Sequence, residues 1–184
     1  MTRKRCHRRP IVPVPPRGLR PTLAPDQVRD LALCHLVHVD AIASGQADAE
    51  TLWQWAGGVL TWSRVAELSP SWDDSAREQM KAGLDLVQAV ADRWIRTGRV
   101  GFTGPELVAA RQLVELQDAM AEAVDRPTAI RAADWSEATL SRVRLAAMQR
   151  RQQALASQPA ERLATDQAQP AQADETPHPY SRAA

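Results

Sequence analysis

A chain of 184 residues has room for one hydrophobic core plus tails, and its two cysteines, Cys6 and Cys34, are too few for a disulfide scaffold, which points to a reducing, cytoplasmic setting. The formal charge of +1 conceals a division: seven basic and no acidic side chains precede Pro25, against 16 basic and 22 acidic from there on. Only Lys4 and Lys81 are lysine, so arginine richness pervades the chain and is weak evidence of function by itself.

Residues 1–24 hold five of the 13 prolines and the cluster Arg3, Lys4, Arg5, Arg8 and Arg9, followed by Arg17 and Arg20. That composition predicts an extended, disordered arm. Pro10, Pro13, Pro15 and Pro16 interrupt any signal-peptide core, and no stretch of the chain approaches a membrane span, so no secretion or membrane insertion is expected.

Pro25 suits the first position of a helix, Asp26 complements its positive end and Gly45 marks its stop; Val28, Leu31, Val39 and Ile42 give the apolar stripe, and Leu33, Leu36 and Val37 widen it towards a largely buried helix. Asp48 and Glu50 open a second helix carrying Leu52, Trp55, Val59, Trp62 and Ala66, which Pro70 ends. Ser71 with Asp74 resembles a capping box for a third, with Met80, Leu84, Val87, Ala91 and Trp94 on its stripe and Gly98 as terminator. A fourth begins around Gly104, Pro105 and Glu106, with Leu107, Leu113, Val114, Met120 and Val124 on one side. Pro127 separates it from a fifth, expected over 128–155 with Ile130, Leu140, Val143 and Met148 as apolar markers and a break admissible at Trp135 and Ser136. From Ser157 onward apolar periodicity disappears, which predicts a disordered tail over 157–184.

No segment alternates in the β manner. The expected fold is therefore all-α: an antiparallel up-and-down bundle of four to five helices over 25–156, flanked by the arm and the tail.

Chemistry is sparse. The arm, cationic and without an acid, can neutralise phosphates and release counterions, which makes nucleic acid or another polyanion its expected partner; a solubilising tail and a protein-docking segment are the alternatives. Arg142, Arg144, Arg150 and Arg151 lie in an acid-free stretch and join the candidate nucleic-acid surface, although cations near a helix C-terminus also answer the helix dipole. A sequence-reading helix-turn-helix is disfavoured because the helices are long and amphipathic. Trp55 and Trp62 share the stripe of Val59 and read as core, whereas Trp53 reads as the surface tryptophan and candidate protein interface. Gly57 and Gly58 inside a helix call for a close helix crossing, since each costs about 1 kcal/mol relative to Ala.

Asp30, Cys34 and His38 share a helical face but lack further ligands or zinc spacing, so no metal and no cofactor are expected; a buried thiol beside semi-exposed histidines is the plainer reading. Gly98, Gly101 and Gly104 precede a helix start without a strand or a phosphate-loop ending, and Glu115, Asp118 and Glu122 read as a solvated acidic stripe. Nothing assembles a nucleophile, a base and an orienting group, so no enzyme is expected.

The basic, proline-bearing arm over Arg3–Arg9, the helical hairpins, and the junction Thr97-Gly98-Arg99-Val100-Gly101-Phe102-Thr103-Gly104-Pro105-Glu106 resemble uncharacterised small helical proteins of proteobacterial prophages and other mobile elements. The resemblance implies a role in regulation, replication or assembly and brings no binding or catalytic residues with it. The expectation is a non-enzymatic helical binding module whose arm contacts a polyanion, with a protein-interaction or assembly scaffold, homo-oligomeric or hetero-oligomeric, as the alternative.

Overall fold

A computed structural model describes the backbone of residues 21–168 and the side chains of 21–157. Among the described residues five helices form: α1 Pro25–Ala43, α2 Ala49–Leu68, α3 Asp74–Thr97, α4 Gly104–Ala123 and α5 Arg126–Ala168. There is no strand among the described residues, and the one bridge of β type joins Thr22 to Asp125.

Each start has a local chemical cause. Gln27 Oε1 reaches back to accept from the Ala24 N–H at 3.1 Å, and Pro25 sits where a helix has no use for an N–H. Asp48 caps α2 by accepting from the Thr51 N–H at 2.8 Å. For α3 the cap is Asp73, which accepts from the Ala76 N–H at 2.8 Å, rather than the predicted Ser71 two residues earlier. Glu106 Oε2 accepts from the Thr103 N–H at 2.7 Å at the head of α4. Asp125 accepts from the N–H and the hydroxyl of Thr128, both at 2.9 Å, so Pro127 opens α5 instead of separating it from α4. The C-terminus of α3 turns on Gly98 in the left-handed region at φ 76°, as a terminating glycine should.

Cross-helix contacts set the directions. Trp53, early in α2, meets Trp94, late in α3, while Ser63 reaches the Met80 carbonyl. Arg93 pairs with Glu106 across the α3–α4 turn. Glu50 pairs with Arg144, and Thr61 with Ser136, so α5 runs against α2; Arg150 to Asp92 and Arg151 to Trp94 place it parallel to α3. The packed pairs α1 with α4, α1 with α2, α2 with α3, and α3 with α4 close a ring, and α5 lies across α2 and α3. The result is three layers: α1 and α4 outside, α2 and α3 in the middle, α5 on the far side.

That layering places the core on α2. Leu52, Trp53, Trp55, Ala56, Val59, Trp62, Val65 and Ala66 are all buried, because neighbours cover α2 on three sides. Burying one indole removes roughly 150–250 Å² from water, worth about 4–6 kcal/mol before entropic costs. The glycine expectation holds: a Cβ on Gly57 would stand 3.1 Å from Leu140 Cδ2 of α5, and one on Gly58 would stand 3.6 Å from the His35 ring of α1. Two small residues thus let two helices approach α2 at one level.

Two boundaries differ from expectation. α5 runs unbroken through Trp135 and Ser136 and continues to Ala168, beyond the predicted end at 155 and into the predicted tail. Pro21 and Leu23, assigned by expectation to the arm, engage the helices: the Pro21 carbonyl accepts from the Arg126 N–H at 2.9 Å and Leu23 packs against the core.

Candidate functional site

Arg3, Lys4, Arg5, Arg8, Arg9, Arg17 and Arg20 lie outside the described residues, as do Cys6 and His7. The arm's point of attachment is described: Pro21 and Thr22 are held to the α4–α5 junction by the Arg126 N–H and the bridge to Asp125.

Of the four candidate arginines on α5, Arg142, Arg144, Arg150 and Arg151, three have partners on other helices. Arg144 pairs with Glu50 at 2.7 Å and Arg150 with Asp92 at 3.1 Å. Arg151 does more: its Nη1 donates to the Trp94 carbonyl at 2.7 Å, and its guanidinium stacks 5.0 Å from the Trp94 ring centroid. The expected compensation of a helix dipole is therefore made, but for the C-terminus of α3 instead of α5's own. Arg142 is exposed and contacts its own helix, donating to the Ala138 carbonyl at 3.3 Å. The acid-free stretch thus docks α5 onto α2 and α3, leaving Arg142 as its member without a partner on another helix.

Trp53 is not a surface residue. It is 2% exposed and packs edge-on to Trp94, with ring centroids 5.7 Å apart. Helical periodicity placed it off the main stripe of α2, but that helix is covered on three sides, so almost no position along its first half faces water. The tryptophan nearest the surface is Trp135, 39% exposed with Arg64 5.1 Å from its ring centroid.

The reading of Cys34 and its neighbours inverts. Cys34 is exposed, whereas His35, one residue on, is buried between α1, α2 and α4. Trp62 Nε1 donates to His35 Nε2 at 3.1 Å, so the imidazole keeps its proton on Nδ1, which faces Asp118 Oδ1 at 3.5 Å. Burial holds the His35 pKa below its usual value, an effect that Asp118 opposes and His38 reinforces. His38 is lowered for the same leading reason, with Gln54 hydrogen-bonded to it in the opposite sense. An Asp-His pair invites comparison with a general base, but here the indole N–H occupies the nitrogen that would accept a proton. The trio joins three helices and has no reactive group beside it. The signal for it was available: an Asp118 on the inner edge of an acidic stripe and a histidine on the apolar stripe of α1. Their convergence needed the α1–α4 contact.

An apolar cleft of about 300 Å³ opens where α5 begins, lined by Leu23, Leu31, His35, Trp62, Ile130 and Ala133 among others. Its polar atoms are few, and the His35 nitrogen that faces α2 is taken by Trp62. Among the described residues no group of three His, Cys, Asp or Glu side chains is placed to hold a metal, and no helix is long and apolar enough to cross a membrane.

The Gly98–Gly104 junction is a helix connection. Arg93 donates to the Gly101 carbonyl and, at 2.6 Å, to Glu106, whose carboxyl Arg93 and the Thr103 N–H hold below the usual range against the cost of its partial burial. The head of α4 already holds an anion, its own Glu106, at the place where an outside one would bind.

Comparison with family models, with curated proteins and with solved structures gives no match.

Proposed function

We propose that this chain is a non-enzymatic helical binding module whose arm contacts nucleic acid or another polyanion through Arg3, Lys4, Arg5, Arg8 and Arg9, with Arg17 and Arg20 nearer the body. The segregation of charge carries the reading: the chain has seven cations and no acid before Pro25, while Arg144, Arg150 and Arg151, three of the four candidate arginines on α5, are engaged with α2 or α3. Cations with intramolecular partners must lose them before they can neutralise phosphate. Cations in an acid-free arm have no acidic partner within their own segment, and their contacts with phosphate release counterions without reading a base sequence.

The body serves as an anchor, because the hydrogen bond from Arg126 to Pro21 fixes where the arm departs. A cytoplasmic location and a mobile-element origin belong to the same reading; the origin rests on the arm, the hairpins and the 97–106 junction alone.

Titration of fluorescent duplex DNA and of RNA at several salt concentrations tests it. The full chain is expected to bind with a steep salt slope, and a chain starting at Pro21 to lose most of the affinity. Cutting there, instead of at Pro25, keeps the Pro21 and Thr22 contacts. Affinity unchanged by the truncation, or indifferent to salt, overturns the reading.

A second reading, a scaffold that binds protein through the helical body, draws on one observation: Leu33, Leu36 and Val37, expected to widen the buried stripe of α1, instead stand 54%, 45% and 62% exposed, because among the described residues α1 is covered only on the side of α2 and α4. Trp53 cannot contribute to it. Substitution of all three by Gln is expected to abolish any concentration-dependent self-association seen by sedimentation, and a strictly monomeric parent chain would count against this reading.

A further inference from the structure

The outer layer of the molecule has the opposite charge to the arm. Helices α1 and α4 carry seven acidic residues, with Arg29 and Arg111 as their only Lys or Arg side chains. Asp118 faces α1 through His35, and Glu115 and Glu122, three and four residues to either side, lie on the same flank of α4, where both are exposed. Beside that flank runs the solvent face of α1, where Leu33, Leu36 and Val37 stand exposed with Asp40 one turn on. No described cation pairs with Glu115, Glu122 or Asp40. Among the described residues, the α1–α4 pair thus brings together an exposed apolar strip and carboxylates without a cationic partner, with Arg29 and Arg111 exposed on the same two helices.

The arm has the matching order of chemistry. Its cationic block ends at Arg9 and is followed by Pro10-Ile11-Val12-Pro13-Val14-Pro15-Pro16. It departs at Pro21, four residues before the first turn of α1. From Pro25 to Leu36 the helix advances about 17 Å at 1.5 Å per residue, whereas ten extended residues of a proline-rich segment span about 31 Å. The segment is long enough to reach Leu36 from Pro21, and its apolar and cationic stretches match the two chemistries of the face. We propose that the arm of this chain docks on its own α1–α4 face, with Ile11, Val12 and Val14 against Leu33, Leu36 and Val37, and Arg3–Arg9 against Glu115, Glu122 and Asp40.

The docking stands on the face itself; only its consequence, competition with a polyanion for the same cations, rests on the proposed function. An arm held on carboxylates yields to a phosphate backbone of higher charge density, so the acidic face sets a threshold on binding and disfavours weak polyanions.

The chain carries its own attachment point for the test. With exposed Cys34 replaced by Ser, a nitroxide on Cys6 is expected to broaden the amide resonances of Leu33–Asp40 and Glu115–Glu122 at low salt. The broadening should fade at high salt and in the E115Q/E122Q/D40N variant, which alters exposed side chains only. Broadening that is absent, or centred on α5, overturns the docking. Broadening transferred to isotope-labelled chains from unlabelled, nitroxide-bearing ones places the arm on a second copy and overturns the intramolecular assignment. Added duplex DNA is expected to relieve the broadening. Docking that persists while no DNA binds would leave the inference standing and remove the proposed function; DNA binding without any docking would do the reverse.

Discussion

The fold constrains the ionisation of His35 from three helices. The imidazole is enclosed by Trp62 and Gly58 from α2, Asp118 from α4 and His38 on its own helix, and its neutral form is the one that accepts the indole N–H. With the folded pKa below the unfolded value, the unfolded chain binds the extra proton first as pH falls. The stabilisation is complete above the unfolded pKa of about 6.5 and is lost as pH drops through the folded one, at about 1.4 kcal/mol for each unit separating them. The urea midpoint is therefore expected to fall between pH 7.5 and pH 5, in the same direction for His38, and the H35Q variant should flatten that slope while lowering stability at pH 7.5. A slope unchanged in H35Q would mean that other groups carry the acid sensitivity. Gly98 offers a second check at this scale. Its φ of 76° and the Arg151 guanidinium, 2.6 Å from the place of an added Cβ, both oppose a side chain. G98A is expected to cost about 2 kcal/mol in chemical denaturation, the left-handed strain supplying 1–2 kcal/mol of it.

At the level of the element, α5 is a helix held by unequal contacts. Arg144–Glu50 and Arg150–Asp92 are exposed pairs, and such pairs contribute about 0–1 kcal/mol. Arg151 combines a charged hydrogen bond to the Trp94 carbonyl with a stack on its ring, so R151A is expected to cost about 1–2 kcal/mol and R150A less than about 0.5 kcal/mol. Thermal melts of the two variants at low and high salt would check the order; only the R150A difference should shrink with salt. Leu140, fitted over Gly57, is the apolar counterpart of these contacts, and L140A should loosen α5 by about 2–3 kcal/mol.

For the whole molecule, the layers place charges of opposite sign apart: acids on α1 and α4, arginines on α5. If the α5 arginines serve docking, substituting Arg144 and Arg150 together should change stability slightly and polyanion affinity by less than about threefold, while removing residues 1–20 lowers affinity by far more. Equal losses from the two changes would move the binding surface to α5. R142A is the companion test for α5, since among the described residues the hydrogen bonds of Arg142 stay within its own helix.

The helices were legible because their punctuation is local: Pro25, Asp48, Gly98 and Glu106 each act within one turn, through a missing N–H, a carboxylate cap, a positive φ or a reach back to the first amide. Even the errors at Ser71 and Pro127 displaced a start by a few residues. What periodicity could not supply is which face of a helix meets water, because that depends on how many neighbours it has. A single stripe describes a helix with one buried side; α2 has three, and so Trp53 is interior. The same limit hid the pairing of His35 with Asp118, more than 80 positions apart, and turned an apparent cationic surface on α5 into a set of docking contacts. The charge division at Pro25 and the local helix signals are properties of the linear chain. Partners and burial were decided by tertiary packing, since Coulomb attraction and desolvation act through space between segments that the sequence holds far apart.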